Sequence, residues 1–130
     1  MTTTKKKTEP ELAPATISEH DGVRYLHLGT PWVQGAMNLK KPAALELEYI
    51  QRMMAWMLLR PAGELARGHA VQLGLGAGAI TRFTQGVMKM NTTVVELNPT
   101  VIGVNRAFFR LPAEGAGLTL QPLAAVGIDG

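Results

Sequence analysis

The sequence predicts an α/β fold with two parts, a small N-terminal β-hairpin region and a parallel sheet flanked by helices. Three observations carry this prediction. Two runs of strand-forming residues flank Asp21-Gly22; two short apolar segments, residues 70–73 and 93–97, are each followed by a helical pattern; and the first of these segments ends in a run of glycines. Strand, helix, strand and helix in close succession is the βαβα pattern of a parallel sheet.

The composition is typical of one small soluble domain. The chain has 130 residues, of which 46% are apolar and 18% are charged, and a chain of this size buries an adequate core provided that its fold is complete. Because the chain has no cysteine, it has neither disulfides nor thiol chemistry. An aromatic content of 5% argues against a carbohydrate-binding platform or a set of base-stacking rings.

Residues 1–13 are expected to form a disordered tail. Lys5, Lys6 and Lys7 account for the net charge of +3 and lie among Thr, Pro and Glu. A basic arm for nucleic acid is the weaker alternative, because such arms have longer basic runs. No apolar segment follows the lysines, which predicts a cytoplasmic protein without a signal peptide, and the apolar runs are too short to span a membrane.

The small β region is predicted over residues 14–37. Residues 15–20 and 23–28 form a hairpin around the two-residue turn, and residues 32–35 are expected to be extended.

The rest of the chain, residues 38–130, is predicted to be a partial Rossmann-like domain. Its first element is a helix over residues 43–59, with Pro42 near the first turn and apolar residues at three- and four-residue spacings. Residues 60–68 are predicted to be a loop because they contain Pro61, Gly63 and Gly68.

The last predicted helix, residues 98–109, begins at Asn98-Pro99 and is stopped by Pro112. Four of its apolar side chains are expected to face the sheet: Val101, Ile102, Val104 and Phe108. Residues 121–127 show no strand pattern.

The glycine run is the informative motif. The strand over residues 70–73 runs directly into Gly74-Leu75-Gly76-Ala77-Gly78, and a helix opens at Ala79. Glycines let the backbone come close to a ligand, because no Cβ is in the way. Glu96, at the end of the next strand, is placed to accept both hydroxyls of a ribose. This combination predicts the nucleoside-binding half of a Rossmann-like domain.

The glycine run fits two sequence patterns, and both remain possible. Gly74, Gly76 and Ala79 fit the G-x-G-x-x-A pattern of a dinucleotide site, while Gly74, Gly76 and Gly78 fit the G-x-G-x-G pattern of S-adenosylmethionine-type enzymes. The hairpin and helix that precede the motif favour the second. The purely structural alternative is a tight turn beside a solvated Glu96.

The other candidate residues, Arg82 and the three histidines, give weaker evidence of a functional site. Arg82 could neutralise an anion, but we expect it to be an exposed arginine on a helix. The three histidines share no metal-ligand spacing, so no metal site is predicted.

Several segments together resemble the spermidine synthase (polyamine aminopropyltransferase) family, in particular its divergent bacterial spermidine-synthase-like branch. They cover roughly residues 15–112 in the family's order. The segments are residues 24–28 (Arg-Tyr-Leu-His-Leu), 32–37 (Trp-Val-Gln-Gly-Ala-Met), 46–51 (Glu-Leu-Glu-Tyr-Ile-Gln), 72–78 (Gln-Leu-Gly-Leu-Gly-Ala-Gly), 95–99 (Val-Glu-Leu-Asn-Pro) and 108–112 (Phe-Phe-Arg-Leu-Pro). The resemblance is specific in their combination, because class I methyltransferases share the glycine loop and the acid.

The resemblance implies transfer of an aminopropyl group from decarboxylated S-adenosylmethionine to putrescine or a similar amine. It implies the first half of a class I methyltransferase-like Rossmann domain behind a small β-domain, a homodimer, and no tightly bound cofactor, the nucleoside being a co-substrate. By position, Gln34 would lie beside the nucleoside, Gly74, Gly76 and Gly78 would pass under it, and Glu96 would hold its ribose.

Tyr49 and Gln51 are the candidate amine-binding residues, where the family reads Tyr-(His or Gln)-Glu. The amide of Gln51 replaces an acid, which weakens the expected binding of an amine. The family's catalytic Asp has no counterpart, so the catalytic residue is unknown, and Asp129-Gly130 only loosely matches the family's adenine-reading step.

The sequence therefore predicts a C-terminally truncated, spermidine-synthase-like protein of polyamine biosynthesis with impaired or no activity. The alternatives are an S-adenosylmethionine-dependent methyltransferase and a non-catalytic nucleoside-binding module. A shortened sheet would leave apolar surface exposed, which predicts marginal stability or self-association.

Overall fold

The computed structural model describes residues 12–115 and 117–122, which form two three-stranded sheets. The first sheet is antiparallel, in the order β1-β2-β3, and the second is parallel, in the order β4-β5-β6. The strands are β1 (Ala15–His20), β2 (Val23–Leu28), β3 (Gly35–Asn38), β4 (His69–Leu73), β5 (Asn91–Glu96) and β6 (Leu118–Pro122). Residues 1–11 of the predicted tail and Asp129 lie outside the described residues.

The N-terminal hairpin is confirmed. Strands β1 and β2 pair with His20 opposite Val23, and the turn between them has φ 47° at Asp21 and φ 76° at Gly22. Positive φ at both central residues is the type I′ geometry that matches the twist of a hairpin.

Of the extended segment expected over residues 32–35, only Gly35 belongs to a strand, because β3 begins there. The Gln34 N–H already donates to the Leu26 carbonyl of β2 at 2.8 Å. Trp32 lies in a bend, where its carbonyl oxygen is 3.1 Å from Nδ1 of His27. The first three residues of β3, Gly35 to Met37, are buried, and Asn38 is half-buried.

The long helix predicted over residues 43–59 is also wrong. The structure has a short helix α1 (Glu48–Met53) followed by a 3₁₀ segment (Met54–Leu59). In this stretch only Met54 is buried, whereas Leu58 is 87% exposed. Apolar periodicity predicts a long helix only where a surface covers the apolar face, and here part of that face, including Met53 and Leu58, is exposed.

The loop predicted over residues 60–68 contains a second 3₁₀ segment (Ala62–Arg67). It starts where the N–H of Glu64 donates to the carbonyl of Pro61 at 3.0 Å. Proline fixes φ near the value that such a turn needs, so Pro61 begins the turn here.

The parallel sheet is confirmed, with β5 in its centre. The sequence misses β6, because Gln121 and Pro122, the first residues of the stretch without a strand pattern, are paired with Val95 and Glu96. The signal was the short alternation that precedes them, in which Leu118 is buried and Thr119 is exposed. Residues 123–127 lie outside the described residues.

Two helical segments follow β4 and β5. The first is α2 (Ala79–Thr81), which continues as a π-helical segment (Arg82–Val87). The second is α3 (Pro99–Phe108), which confirms the predicted helix start because the Asn98 side chain accepts a hydrogen bond from the Thr100 N–H at 2.9 Å.

The prediction that Phe108 faces the sheet is wrong. Phe108 is exposed and its ring lies beneath the Arg24 guanidinium, 5.9 Å from the ring centroid. Phe109 is fully buried instead, because the chain leaves the helical conformation at this residue and turns its ring into the core.

One hydrophobic core joins the two sheets. Leu26 and Met37 of the first sheet belong to the same buried cluster as Val94 and Leu118 of the second. The division into residues 14–37 and 38–130 stays a prediction, since this cluster draws on both. In the described part of the chain, no helix is long and apolar enough to cross a membrane.

Candidate functional site

The glycine loop leaves the carboxyl end of β4 in a conformation that requires its glycines. The backbone φ angles of Gly74, Gly76 and Gly78 are 82°, 56° and 73°, a region that residues with a Cβ adopt at a cost. Gly78 has a second reason to be glycine, because a Cβ there would lie 2.8 Å from Oδ1 of Asn105.

The structure brings Glu96 to this loop. Oε1 of the carboxylate accepts a hydrogen bond from the Leu75 N–H at 3.1 Å, and Oε2 accepts one from the Asn98 N–H at 2.9 Å. Because β4 and β5 are parallel neighbours, their carboxyl ends meet at one edge of the sheet. Each carboxylate oxygen has further lone pairs beyond the one it uses here, so this acid can accept additional donors.

A cavity of ≈ 230 Å³ also adjoins the glycine loop. Four of the predicted site residues line it: Gln34, Tyr49, Gly74 and Gly76. Its rim is closed where the Tyr49 hydroxyl donates to the Gln34 carbonyl at 3.3 Å.

Three predicted residues lie outside that lining. Gly78, the last residue of the loop, lies against Asn105 of α3, and Glu96, at the end of β5, hydrogen-bonds the Leu75 N–H. Gln51 is exposed and its Nε2 donates to the Leu45 carbonyl at 2.7 Å. The structure therefore brings Gln34, Tyr49, the glycine loop and Glu96 into one neighbourhood and leaves Gln51 on the surface of α1.

A larger cavity of ≈ 520 Å³ lies beside β4. Its lining is mainly apolar, including Met53, Trp56, Val71 and Leu73, and contains none of the predicted site residues. Four of the predicted site residues line the smaller cavity, so we take this cavity, together with the glycine loop and Glu96, as the candidate site.

The sequence analysis misplaced Arg82. Its side chain is buried, with the residue 4% exposed, and its nitrogens donate to three backbone carbonyls: Pro42 at 2.8 Å, Phe109 at 2.8 Å and Ala77. Burial lowers the pKa of the Arg82 guanidinium to about 10. The expectation of an exposed helical arginine is wrong because these carbonyls surround the side chain.

The sequence analysis also missed Asn105. This fully buried residue of α3 donates from Nδ2 to the carbonyls of Gly76 at 2.7 Å and Val101 at 2.8 Å. A signal was present, because Asn105 follows Val101 by one helical turn on the apolar face of α3. A polar residue on such a face needs a buried partner.

The histidines have other partners. The rings of His27 and His69 hydrogen-bond Ser18 and Thr93, each at 2.7 Å. Among the residues that the structure describes, no group of three or more His, Cys, Asp or Glu could hold a metal ion.

Known proteins are similar to this chain in sequence and in fold. Polyamine aminopropyltransferases from Neisseria meningitidis serogroup A, N. meningitidis serogroup B and Chromobacterium violaceum are each 41% identical to the chain over 100 residues, which is 76% of this chain and 37% of the relative. No protein-family model matches.

Among solved structures, a probable spermidine synthase from Corynebacterium glutamicum has a TM-score of 0.64 and 18% sequence identity. The match covers 83% of this chain and 40% of that one. The chain thus spans well under half the length of the proteins it matches. It has the spermidine synthase fold over that part, and it is homologous over 76% of its length to the polyamine aminopropyltransferases, as its motifs predict.

Proposed function

We propose that this chain is the nucleoside-binding part of a spermidine-synthase-like aminopropyltransferase, with decarboxylated S-adenosylmethionine as its co-substrate. One observation carries the proposal. The Glu96 carboxylate reaches the glycine loop, 3.1 Å from the Leu75 nitrogen, where two parallel strands end. An open loop beside an acid at this edge is the arrangement that binds the ribose of a nucleoside.

The proposed binding mode divides the work between backbone and acid. The ribose would lie over the glycine loop, where the positive-φ backbone presents no side chain. Glu96 would accept its hydroxyls through lone pairs that the N–H groups of Leu75 and Asn98 leave free. Gln34, at the rim of the cavity, would contact the rest of the nucleoside.

The reaction proposed for the whole enzyme is a nucleophilic displacement. An amine nitrogen, having lost a proton, attacks the propyl carbon next to the sulfonium; the C–N bond forms as the C–S bond breaks. The electron pair of that bond goes to sulfur, which leaves as the neutral thioether methylthioadenosine. A base and carboxylates that bind the amine are required, and no residue of this chain is assigned as that base.

We propose Tyr49 and Gln51 as the amine side of the site. Tyr49 lines the cavity beside Gln34, and Gln51 lies two residues further along α1. Neither side chain carries the negative charge that attracts a cationic amine at neutral pH. We therefore expect weak amine binding and little or no turnover by this chain.

The amide at Gln51 also favours a second candidate, an S-adenosylmethionine-dependent methyltransferase, because such an enzyme uses the same glycine loop and acid without a polyamine. A homodimer, a cytoplasmic location and the alternative of a non-catalytic nucleoside-binding module remain proposals as well. The exposed apolar side chains of Leu58 and Leu73 support self-association.

A calorimetric titration separates these candidates. We expect methylthioadenosine to bind at least about tenfold more tightly than S-adenosylhomocysteine, whose extra amino-acid group has no partner in an aminopropyltransferase site. The reverse preference would support the methyltransferase, and an absence of binding by either nucleoside would refute a nucleoside site. Putrescine with decarboxylated S-adenosylmethionine provides the activity assay.

A further inference from the structure

Two buried side chains hold the glycine loop on its side facing α3. Nδ2 of Asn105 donates to the carbonyl of Gly76 at 2.7 Å, and Nη1 of Arg82 donates to the carbonyl of Ala77. These carbonyls belong to consecutive residues of the loop. Because peptide groups are planar, fixing these carbonyls also fixes the N–H groups of Ala77 and Gly78. The Gly78 N–H donates to the Leu75 carbonyl at 3.0 Å, which links the fixed part of the loop to Leu75.

Arg82 also connects the loop to distant parts of the chain. Its Nε donates to the carbonyl of Pro42, and its Nη1 donates to that of Phe109, both at 2.8 Å. Pro42 precedes the segment that leads to Tyr49 on the other wall of the cavity, and Phe109 follows the last residue of α3. One guanidinium thus joins the glycine loop, the entry to α1 and the end of α3.

This arrangement is a poor way to gain stability alone. The guanidinium is desolvated, and within the described part of the chain Nη2 of Arg82 and Oδ1 of Asn105 have no hydrogen-bond partner. Apolar side chains of similar size often stabilise a core as well as or better than buried charges do. Two unpaired polar atoms add a further penalty. Arg82 and Asn105 differ from apolar side chains of similar size in that they fix the geometry of the loop.

Gly78 fits the same interpretation. A Cβ on this residue would lie 2.8 Å from Oδ1 of Asn105 and 3.1 Å from Nη1 of Arg82. Gly74, in contrast, has no atom near the position of a Cβ. The third glycine of the motif therefore admits the two side chains behind the loop, whereas the first leaves the backbone open on its outer side.

We infer that Arg82 and Asn105 are positioning residues for the nucleoside site. By binding the carbonyls of Gly76 and Ala77 from behind, they hold the loop in the shape that places the Leu75 N–H on Glu96 and leaves the outer face of the loop free for a ribose. This inference deepens the proposed function and rests on it for the identity of the ligand.

The test uses two variants and a matched control. Arg82→Lys keeps the charge but not the fork that reaches three carbonyls, and Asn105→Leu keeps the volume but not the donors. Arg106→Lys, one residue further along α3, changes an exposed arginine paired with Glu114 at 2.9 Å. For each protein we would measure the dissociation constant for methylthioadenosine by calorimetry and native-state amide exchange.

We expect Arg82→Lys and Asn105→Leu to weaken binding at least about tenfold. Amide exchange at residues 75–78 should accelerate, while the hairpin amides at residues 15–28 should exchange as in the parent. Arg106→Lys should change neither. Binding within about twofold of the parent, or exchange that accelerates equally in loop and hairpin, would overturn the positioning role.

The two proposals fail in different ways. If the parent does not bind methylthioadenosine, the proposed function fails, and the exchange comparison alone decides whether the two side chains hold the loop. If the parent binds and both variants bind equally well, the positioning role fails while the nucleoside site stands.

Discussion

The carboxyl end of strand β4 and its lateral edge differ in how many contacts they make with the rest of the described residues. At its carboxyl end, the glycine loop is fastened by Glu96 of β5, by Asn105 of α3 and by Arg82. At its lateral edge no strand of the described residues pairs with β4, and on one face of this edge strand Val71 and Leu73 are 67% and 83% exposed. The comparison shows that the candidate site is held by contacts within the described residues, whereas the edge of β4 has no strand partner among them.

The largest expected effect is at the contact between the first sheet and the loop. A Cβ on Gly35 would lie 2.5 Å from Cβ of Ala77 and 2.7 Å from its nitrogen, which is too close for either to remain in place. We expect Gly35→Ala to lower the free energy of unfolding by about 3 kcal/mol, measured by urea denaturation. A change below about 0.5 kcal/mol would show that the loop is not packed against β3.

Gly103 is the matched glycine, in the middle of α3 with no atom within 4 Å of a Cβ position. Gly103→Ala should raise the free energy of unfolding by up to about 1 kcal/mol, because alanine has the higher helix propensity. The same denaturation experiment measures it. Destabilisation by this variant would mean that α3 is covered on that face.

The smallest expected effect on stability is at the edge of β4. Leu73→Lys should leave the free energy of unfolding within about 0.5 kcal/mol of the parent, since the leucine side chain is already in water. It should reduce self-association in sedimentation velocity, because a charge on an exposed edge opposes strand pairing. Unchanged self-association would show that the edge of β4 does not mediate it.

The sequence predicts what local chemistry decides. The Asp21-Gly22 turn and the Asn98 cap are patterns whose partners lie within a few residues, and the structure has both. Glu96 reaches the glycine loop 21 residues earlier because the strand-helix-strand pattern makes β4 and β5 parallel neighbours. Burial by distant residues is not readable in this way. Arg82 receives partners 27 and 40 residues away, and no local pattern announces them.

The long helix predicted over residues 43–59 fails for the opposite reason, because an expected covering surface is missing among the described residues. An apolar stripe predicts a long helix when something covers it, and Leu58 and Leu59 are exposed here. The periodicity identifies the apolar residues but not the surface that would have to cover them. Phe108 and Phe109 illustrate the same limit on a smaller scale, because a one-residue difference in where α3 ends decides which ring is buried.

The central claim is that Glu96 binds the ribose hydroxyls of a nucleoside held over the glycine loop. It is tested most directly by a calorimetric cycle with methylthioadenosine and its 2′-deoxy analogue, on the parent and on Glu96→Ala, with Glu64→Ala as the exposed control. We predict that removing the hydroxyl weakens binding to the parent and to the control about tenfold or more, and that it changes binding to Glu96→Ala by less than about twofold. An equal loss in all three proteins would contradict the claim.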